Sequence, residues 1–260
     1  MNYGMPTLIE LPDIEDCAAL CRDLGLQFIE FNMNLPQYQP DTMDEKKLAR
    51  VAKEYGIFYT IHLDENMNVA DFNPYVAEGY FRTVRETIEL ARRLEIPVLN
   101  MHLSRGVHFT LPDRKVFLFD RYREEYLRGI RAFRDMCAEA IGSAPIKICT
   151  ENYTGYTAFQ KEALDVLLES GCFGLTLDVG HNHCTDYVDE PVVMAHENRL
   201  HHIHMHDVTG RKDHPPLGTG DVELHKYFEL ARRNNCTVLL ETKTIAGLKA
   251  SAAWRQNNRP

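Results

Sequence analysis

Eight short, apolar, β-rich segments recur along the 260-residue chain at intervals of roughly 25–45 residues, with helix-like sequence between most of them. They are residues 2–6, FIEFN at 28–32, IFYTIHL at 57–63, PVLNMHL at 97–103, IKICTE at 146–151, FGLTLDV at 173–179, LHHIHMHD at 200–207 and TVLLETK at 237–243. The helical period between them is explicit in places: Phe81, Val84, Ile88 and Ala91 fall at 3-4-3 spacing, as do Tyr126, Ile130, Phe133 and Cys137. Gly25 and Gly56 each end a helical run just before a strand, where a left-handed C-capping glycine is expected. The stretch from Asp189 to Arg199 has room for only a short helix. Eight parallel strands can close into a barrel or stay open as a doubly wound sheet. No GxGxxG follows any strand, which removes the commonest reason to favour the open sheet. The expectation is an α/β fold: one (β/α)8 barrel domain over residues 1–260, closed by pairing of residues 2–6 with 237–243.

Composition narrows the function classes. Hydrophobic residues at 44% and charged residues at 26% describe a globular chain with an ample core. No apolar run approaches the ~18 residues of a spanning helix, and the first residues lack the basic and apolar regions of a secretory signal. The seven cysteines are scattered, without a CxxC pair, which points to reduced thiols and a cytoplasmic setting. A net charge of −9 disfavours a broad phosphate-tracking surface, so nucleic acid is not the expected partner.

The positions of the histidines and acids matter more than their number. A charged group on the inner face of a barrel strand is costly unless it is paired or metal-bound. Yet strand three ends in His62, four in His102, five in Glu151, six in Asp178, seven in His204 and His206, and eight in Glu241. Any one of these alone is more simply a hydrogen-bonded strand end. Six consecutive strands with the same feature at the same end, which a closed barrel brings to one mouth, point to a metal site. Alternation places His202, His204 and His206 on one face of strand seven.

The motif LDVGH at 177–181 and the stretch HIHMHDVTGRKDHPPLGTGDVE at 202–223 resemble the xylose isomerase-like barrel superfamily. That group includes sugar phosphate isomerases and epimerases and the endonuclease IV-type AP endonucleases. The resemblance runs from strand two to strand eight and implies a metal held by Glu151, Asp178, His204 and Glu241. Three carboxylates and an imidazole suit Mn²⁺, Zn²⁺, Co²⁺ or Mg²⁺. One ion is expected, with two or three left open, because the endonuclease branch adds ligands at positions matching His62, His102, His181 and His214. The aspartate that branch carries two residues before the last histidine is Lys212 here, and the neighbouring Asp213 is expected to point the other way.

In the isomerase branch Glu151 and Glu241 serve as base and acid around a metal-stabilised enediolate, the chemistry this resemblance implies for a sugar or sugar phosphate. Two alternatives share the site: an endonuclease IV-like phosphodiesterase, and a dehydratase of a polyol or acid. A non-catalytic sugar sensor on the same scaffold is a third, although two carboxylates beside a metal serve no purpose in a binder. The loop NMNLPQYQP after strand two has no basic residue, and DENMNVADFNP after strand three carries three acids and no base, a rim that repels duplex DNA. Substrate contacts are expected from His206, Lys243, Arg105 and Arg211, with His108 and Lys212 nearby. Tyr153, Tyr156, Asn32 and Asn34 are candidates to line a polyol pocket, and assembly into a homo-oligomer is open.

Overall fold

The computed structural model describes residues 1–258. Eight parallel strands close into a barrel: β1 (Tyr3–Pro6), β2 (Phe28–Asn32), β3 (Phe58–His62), β4 (Val98–His102), β5 (Lys147–Glu151), β6 (Phe173–Asp178), β7 (Leu200–Met205) and β8 (Thr237–Leu240). Each pairs with its sequence neighbours, and the ring shuts where Tyr3 meets Val238 and Gly4 meets Leu239, as the sequence leads one to expect. The helices are α1 (Ile14–Asp23), α2 (Glu45–Tyr55), α3 (Pro74–Arg93), α4 (Arg123–Ile141), α5 (Ala158–Leu168), α6 (Val179–Cys184), α7 (Glu190–Ala195), α8 (Leu224–Arg233) and α9 (Ile245–Asn257). The expected short helix after strand six is α7, six residues long.

The local chemistry explains these boundaries. Asp13, Asp44, Asn73 and Thr157 cap α1, α2, α3 and α5 with side-chain oxygens on first-turn amides. Gly56 ends α2 in the left-handed conformation at φ 67°, which only glycine adopts without cost. Gly25 does the same after α1 at φ 65°. The helices turn their apolar faces onto the barrel and form one contiguous core with it.

Two β-hairpins sit outside the barrel. One pairs His108–Thr110 with Lys115–Phe117 after β4, and the other pairs Val208–Thr209 with Lys212–Asp213 after β7. A one-turn helix at Leu118–Arg121 follows the first. No helix among the described residues is long and apolar enough to cross a membrane, and the seven cysteines are unpaired.

Register is what positions the site. His62 pairs with Asn32, Glu151 with His102, and His204 with Asp178, so three cross-strand rungs carry polar pairs at the same end of the barrel. Glu241 lies one residue beyond β8, held in line by its amide bonding the Met205 carbonyl at 3.0 Å.

Candidate metal centre

Glu151, Asp178, His204 and Glu241 each turn one ligand atom to a common point, all within 4.8 Å of one another. His204 Nδ1 lies 3.2 Å from Glu151 Oε1, 3.1 Å from Glu241 Oε2 and 4.0 Å from Asp178 Oδ2. The outer oxygens are held from behind. Glu151 Oε2 takes the Asn100 amide and faces His102 Nε2 at 3.2 Å and His62 Nε2 at 3.4 Å. Glu241 Oε1 faces Lys243 Nζ at 2.8 Å and His214 Nε2 at 3.2 Å. Asp178 Oδ1 caps α6 by accepting from the His181 amide at 2.6 Å.

Whether these residues fit a cation is answered by their unpartnered atoms. His204 Nδ1 and Glu241 Oε2 are buried, lack a hydrogen-bond partner, and point at the same place as Glu151 Oε1. Buried polar groups are ordinarily satisfied, and three carboxylates with one imidazole are a hard-to-borderline donor set for a divalent ion. The set fits.

The electrostatics agree. Burial alone would raise the Glu151 carboxyl, but the charges of His204 and His102 outweigh it and hold it far below the usual range. Glu241 is likewise held down against its own burial by His204, His214 and Lys243. Burial works against a charged His204, yet the carboxylates of Glu151, Glu30 and Glu241 push its proton affinity well above the ordinary value. Without a metal, a proton is the cation that these carboxylates hold.

The remaining histidines also converge. His62 passes its Nδ1 to the Leu63 carbonyl at 2.7 Å, leaving Nε2 toward Glu151 Oε2 beside His102. These three residues form a second ligand-type group that shares Glu151 with the first. His181 Nδ1 lies 3.4 Å from Asp178 Oδ2, and its Nε2 lies 3.8 Å from Asp213 Oδ2. Asp213 Oδ1 is 3.3 Å from His214 Nδ1, so Asp213 does face the mouth. The expectation that it points away fails because His214 sits at φ 63°, a turn that breaks the alternation of an extended loop.

Other expected contacts resolve differently. His206 does not reach the cavity: it is fully buried behind Asp178, with Nε2 3.0 Å from Oδ1 and 3.1 Å from Oδ2. Its Nδ1 accepts from the His214 amide at 3.0 Å, and the two rings stack at 4.0 Å. It braces the Asp178 carboxylate and does not line the cavity. Arg105 borders the mouth, with Nη2 donating to the carbonyls of Thr154, at 2.6 Å, and Gly155. Arg211, Lys212 and His108 are exposed in the outer hairpins, away from the cavity wall. Lys243 is in the wall, as are Asn32, Asn34, Tyr153 and Tyr156. Tyr153 lies flat on the His102 ring at 5.0 Å.

The cavity above these residues has a volume of about 880 Å³, ample for a monosaccharide. Gly180 and Asp207 account for the two motifs around it. A Cβ on Gly180 would stand 2.0 Å from the His206 ring, so DVGH needs glycine to admit that imidazole. Asp207 is buried and accepts from the amides of Val208, Gly218, Gly220 and Val222 at 2.9–3.1 Å, which folds the LGTGDVE loop around one carboxylate.

One buried acid was not singled out from the sequence. Glu30, in the middle of β2, touches His204 Nε2 and His202 Nε2, each at 3.1 Å. Its signal was present, since FIEFN sets a carboxylate among large apolar residues where an inward strand position tolerates none unpaired.

With this geometry in view, comparison with known proteins decides the family. Residues 18–258 match the family described as xylose isomerase-like TIM barrel. The chain belongs to that family. Among curated relatives, the uncharacterized protein MJ1188 of Methanocaldococcus jannaschii is 24% identical over 238 residues, spanning 88% of this chain and 83% of its own. Among solved structures, a D-tagatose 3-epimerase-like protein superposes with a TM-score of 0.79 at 22% identity, covering 99% of this chain and 96% of the other. An L-ribulose 3-epimerase gives 0.77 at 17%, covering 98% and 93%. The IOLI protein, determined with a bound zinc atom, gives 0.70 at 15%, covering 97% and 92%.

Proposed function

We propose that this chain is a divalent-metal-dependent sugar isomerase or epimerase that moves a proton between Glu151 and Glu241. The observation that carries the reading is the convergence of these two glutamates. Glu151 Oε1, at the end of β5, and Glu241 Oε2, just past β8, meet at nearly the same distance from His204 Nδ1 on β7, at 3.2 and 3.1 Å. The named epimerases among the structural relatives and the zinc-bound barrel support it.

Glu151, Asp178, His204 and Glu241 would hold the ion. When bound, it supplies Lewis acidity toward a carbonyl and neighbouring hydroxyl of an open-chain sugar. The chain does the rest. One glutamate takes the proton from the carbon beside the carbonyl, and the other returns a proton to the resulting enediolate. Asn100, His62 and His102 fix the Glu151 carboxylate, while Lys243 and His214 fix that of Glu241. Asn32, Asn34 and Tyr153 offer polar atoms to the hydroxyls.

The charge of the cavity wall favours an uncharged sugar over a phosphate. Lys243 is paired with Glu241 and Arg105 directs its Nη2 to backbone carbonyls, while Glu30, Glu65 and Asp213 add negative charge. The test is proton exchange in D2O, followed by NMR, on a panel of ketoses and their phosphates with and without Mn²⁺. Exchange at the carbon beside the carbonyl, dependent on metal and reduced on the order of 10²–10⁴-fold in Glu241→Gln, is the expected result. No exchange on any sugar would sink the reading.

The His62–His102–Glu151 group favours one second reading, a phosphodiesterase that uses a shared Glu151. Incision of a duplex carrying an abasic site, without any sugar exchange, would establish it.

A further inference from the structure

The inner face of the barrel below the metal centre is built from polar residues that the proposed chemistry does not use. Glu30 on β2 is 2% exposed and lies between two histidines of β7. Its Oε1 is 3.1 Å from His204 Nε2, and its Oε2 is 3.1 Å from His202 Nε2. Both Nε2 atoms are buried and their contacts with Glu30 are ion pairs, not hydrogen bonds. Thr60, paired across the sheet with Glu30, donates its hydroxyl to Oε2 at 2.8 Å. His202 completes the file by turning Nδ1 to the Thr237 hydroxyl on β8.

The Glu30 carboxylate sets the proton inventory of this file. A carboxylate between two imidazoles accepts only, so each ring presents Nε2–H to it. Once its second proton is displaced, His204 then has its lone pair on Nδ1, the buried atom that faces Glu151 Oε1 and Glu241 Oε2. His202 turns its Nδ1 to the Thr237 hydroxyl, which also reaches the His201 carbonyl at 3.4 Å. The carboxylate therefore selects the ring tautomer of His204 that can ligate, and fixes the ring from the side opposite the centre.

We propose that Glu30 is a positioning residue for the metal centre, holding His204 with Nδ1 presented to the ion through a carboxylate shared with His202. The inference rests on the metal reading of the site above it. Outer carboxylates of this kind raise the basicity of the ligating imidazole as well as orient it.

Glu30→Gln is nearly isosteric and tests both properties. A carboxamide has one acceptor oxygen, so whichever ring meets its NH2 must give up its Nε2 proton, and no negative charge remains behind His204. The measurement is calorimetric titration of metal-free protein with Mn²⁺, together with the visible absorption of the Co²⁺-saturated form. Glu30→Gln is expected to bind Mn²⁺ roughly 10–100-fold more weakly and to shift the Co²⁺ bands, because the ligand field of His204 changes. A packing defect alone would lower the melting temperature of the metal-free protein and leave the bands of the saturated form in place. Thr60→Val, which removes only the hydroxyl on Oε2, is the second variant, with a smaller loss of affinity of about threefold. Wild-type affinity and wild-type bands in the variants would overturn the role of Glu30 while leaving the functional reading standing. Failure of the wild-type protein itself to bind Mn²⁺ or Co²⁺ would overturn that reading and this role together.

Discussion

His206 Nε2 faces both oxygens of the Asp178 carboxylate, 3.0 Å from Oδ1 and 3.1 Å from Oδ2, from a fully buried position behind the centre. One imidazole thus fixes the rotation of a carboxylate whose Oδ2 lies 4.0 Å from His204 Nδ1. The contact exists only because Gly180 has no Cβ: one placed there would fall 2.0–2.6 Å from three atoms of the ring. The Gly180→Ala protein is therefore expected to displace His206, lose about 1–3 kcal/mol of stability, and bind Mn²⁺ more weakly. Urea unfolding and a Mn²⁺ titration measure the two effects, and an alanine variant equal to wild type in both would show that the ring has room to move.

His62 contributes to the pH dependence of the metal-free protein, together with His204 and His206, whose proton affinities are raised as well. Burial lowers the proton affinity of His62, but the Glu151 carboxylate at 3.4 Å more than compensates and pushes it up to about 9. A histidine raised in the folded state contributes stability fully below its unfolded pKa of about 6.5, and loses it as pH climbs through the folded value. In the presence of a chelator, the melting temperature should fall between roughly pH 6.5 and 9. His62→Gln should make that fall shallower, with His204 and His206 supplying the remainder, and an unchanged slope in the variant would remove His62 as a contributor.

Much of this was legible in the sequence because the barrel couples pattern to place. Segment spacing gave the eight strands to within a few residues, and cross-strand register then put Glu151 opposite His102 and His204 opposite Asp178. What the pattern could not show was depth. Alternation put His206 on the same face as His204, yet it lies past the strand end and turns behind Asp178. Arg105 borders the cavity, but only the fold reveals that its Nη2 is bonded to the backbone carbonyls of Thr154 and Gly155. The hairpins at 108–117 and 208–213 escaped notice because strands of two or three residues carry too little periodicity to detect.

Metal binding should be visible as stability. Asp178, Glu151 and Glu241 bring three carboxylates together around one histidine, an arrangement a cation favours only in the folded chain. At a free Mn²⁺ concentration of about 100 Kd the gain is about 2.7 kcal/mol. That corresponds to a rise of roughly 5–10 °C in melting temperature for a domain of this size. Differential scanning fluorimetry with added Mn²⁺ and with EDTA measures it; equal melting temperatures would contradict a metal centre at these residues.

Asp207 should be as costly to lose as a ligand, for a different reason. Its carboxylate is the shared acceptor for the amides of Val208, Gly218, Gly220 and Val222. A Cβ on Gly220 would come within 2.2 Å of the Val208 carbonyl, so the loop has little freedom to rearrange. Asp207→Asn replaces one accepting oxygen by an NH2 that faces other donors, which should cost on the order of 3 kcal/mol or more. Chemical unfolding should show the loss, and proteolysis should cut first between Gly210 and Gly220; a variant with wild-type stability would mean that these amides find other acceptors.

The number of ions separates the two readings of the site. Glu151 serves two groups at once: Oε1 faces His204, while Oε2 faces His62 and His102. A phosphodiesterase needs both groups filled, with ions roughly 3.5–4 Å apart. A proton-transfer enzyme needs only the group with Asp178, His204 and Glu241, leaving His62 and His102 to fix the Glu151 carboxylate. Under that reading, Zn²⁺ or Mn²⁺ titration gives one ion required for turnover, and the double variant His62→Ala with His102→Ala keeps that ion. Its turnover on a ketose falls about 10–100-fold, because the base loses orientation and not its metal. Elemental analysis and an activity titration on the same samples read both quantities. If activity appears only when a second ion is bound, and the double variant loses that ion together with all turnover, the shared Glu151 belongs to a two-metal hydrolytic site and the proton-transfer reading gives way.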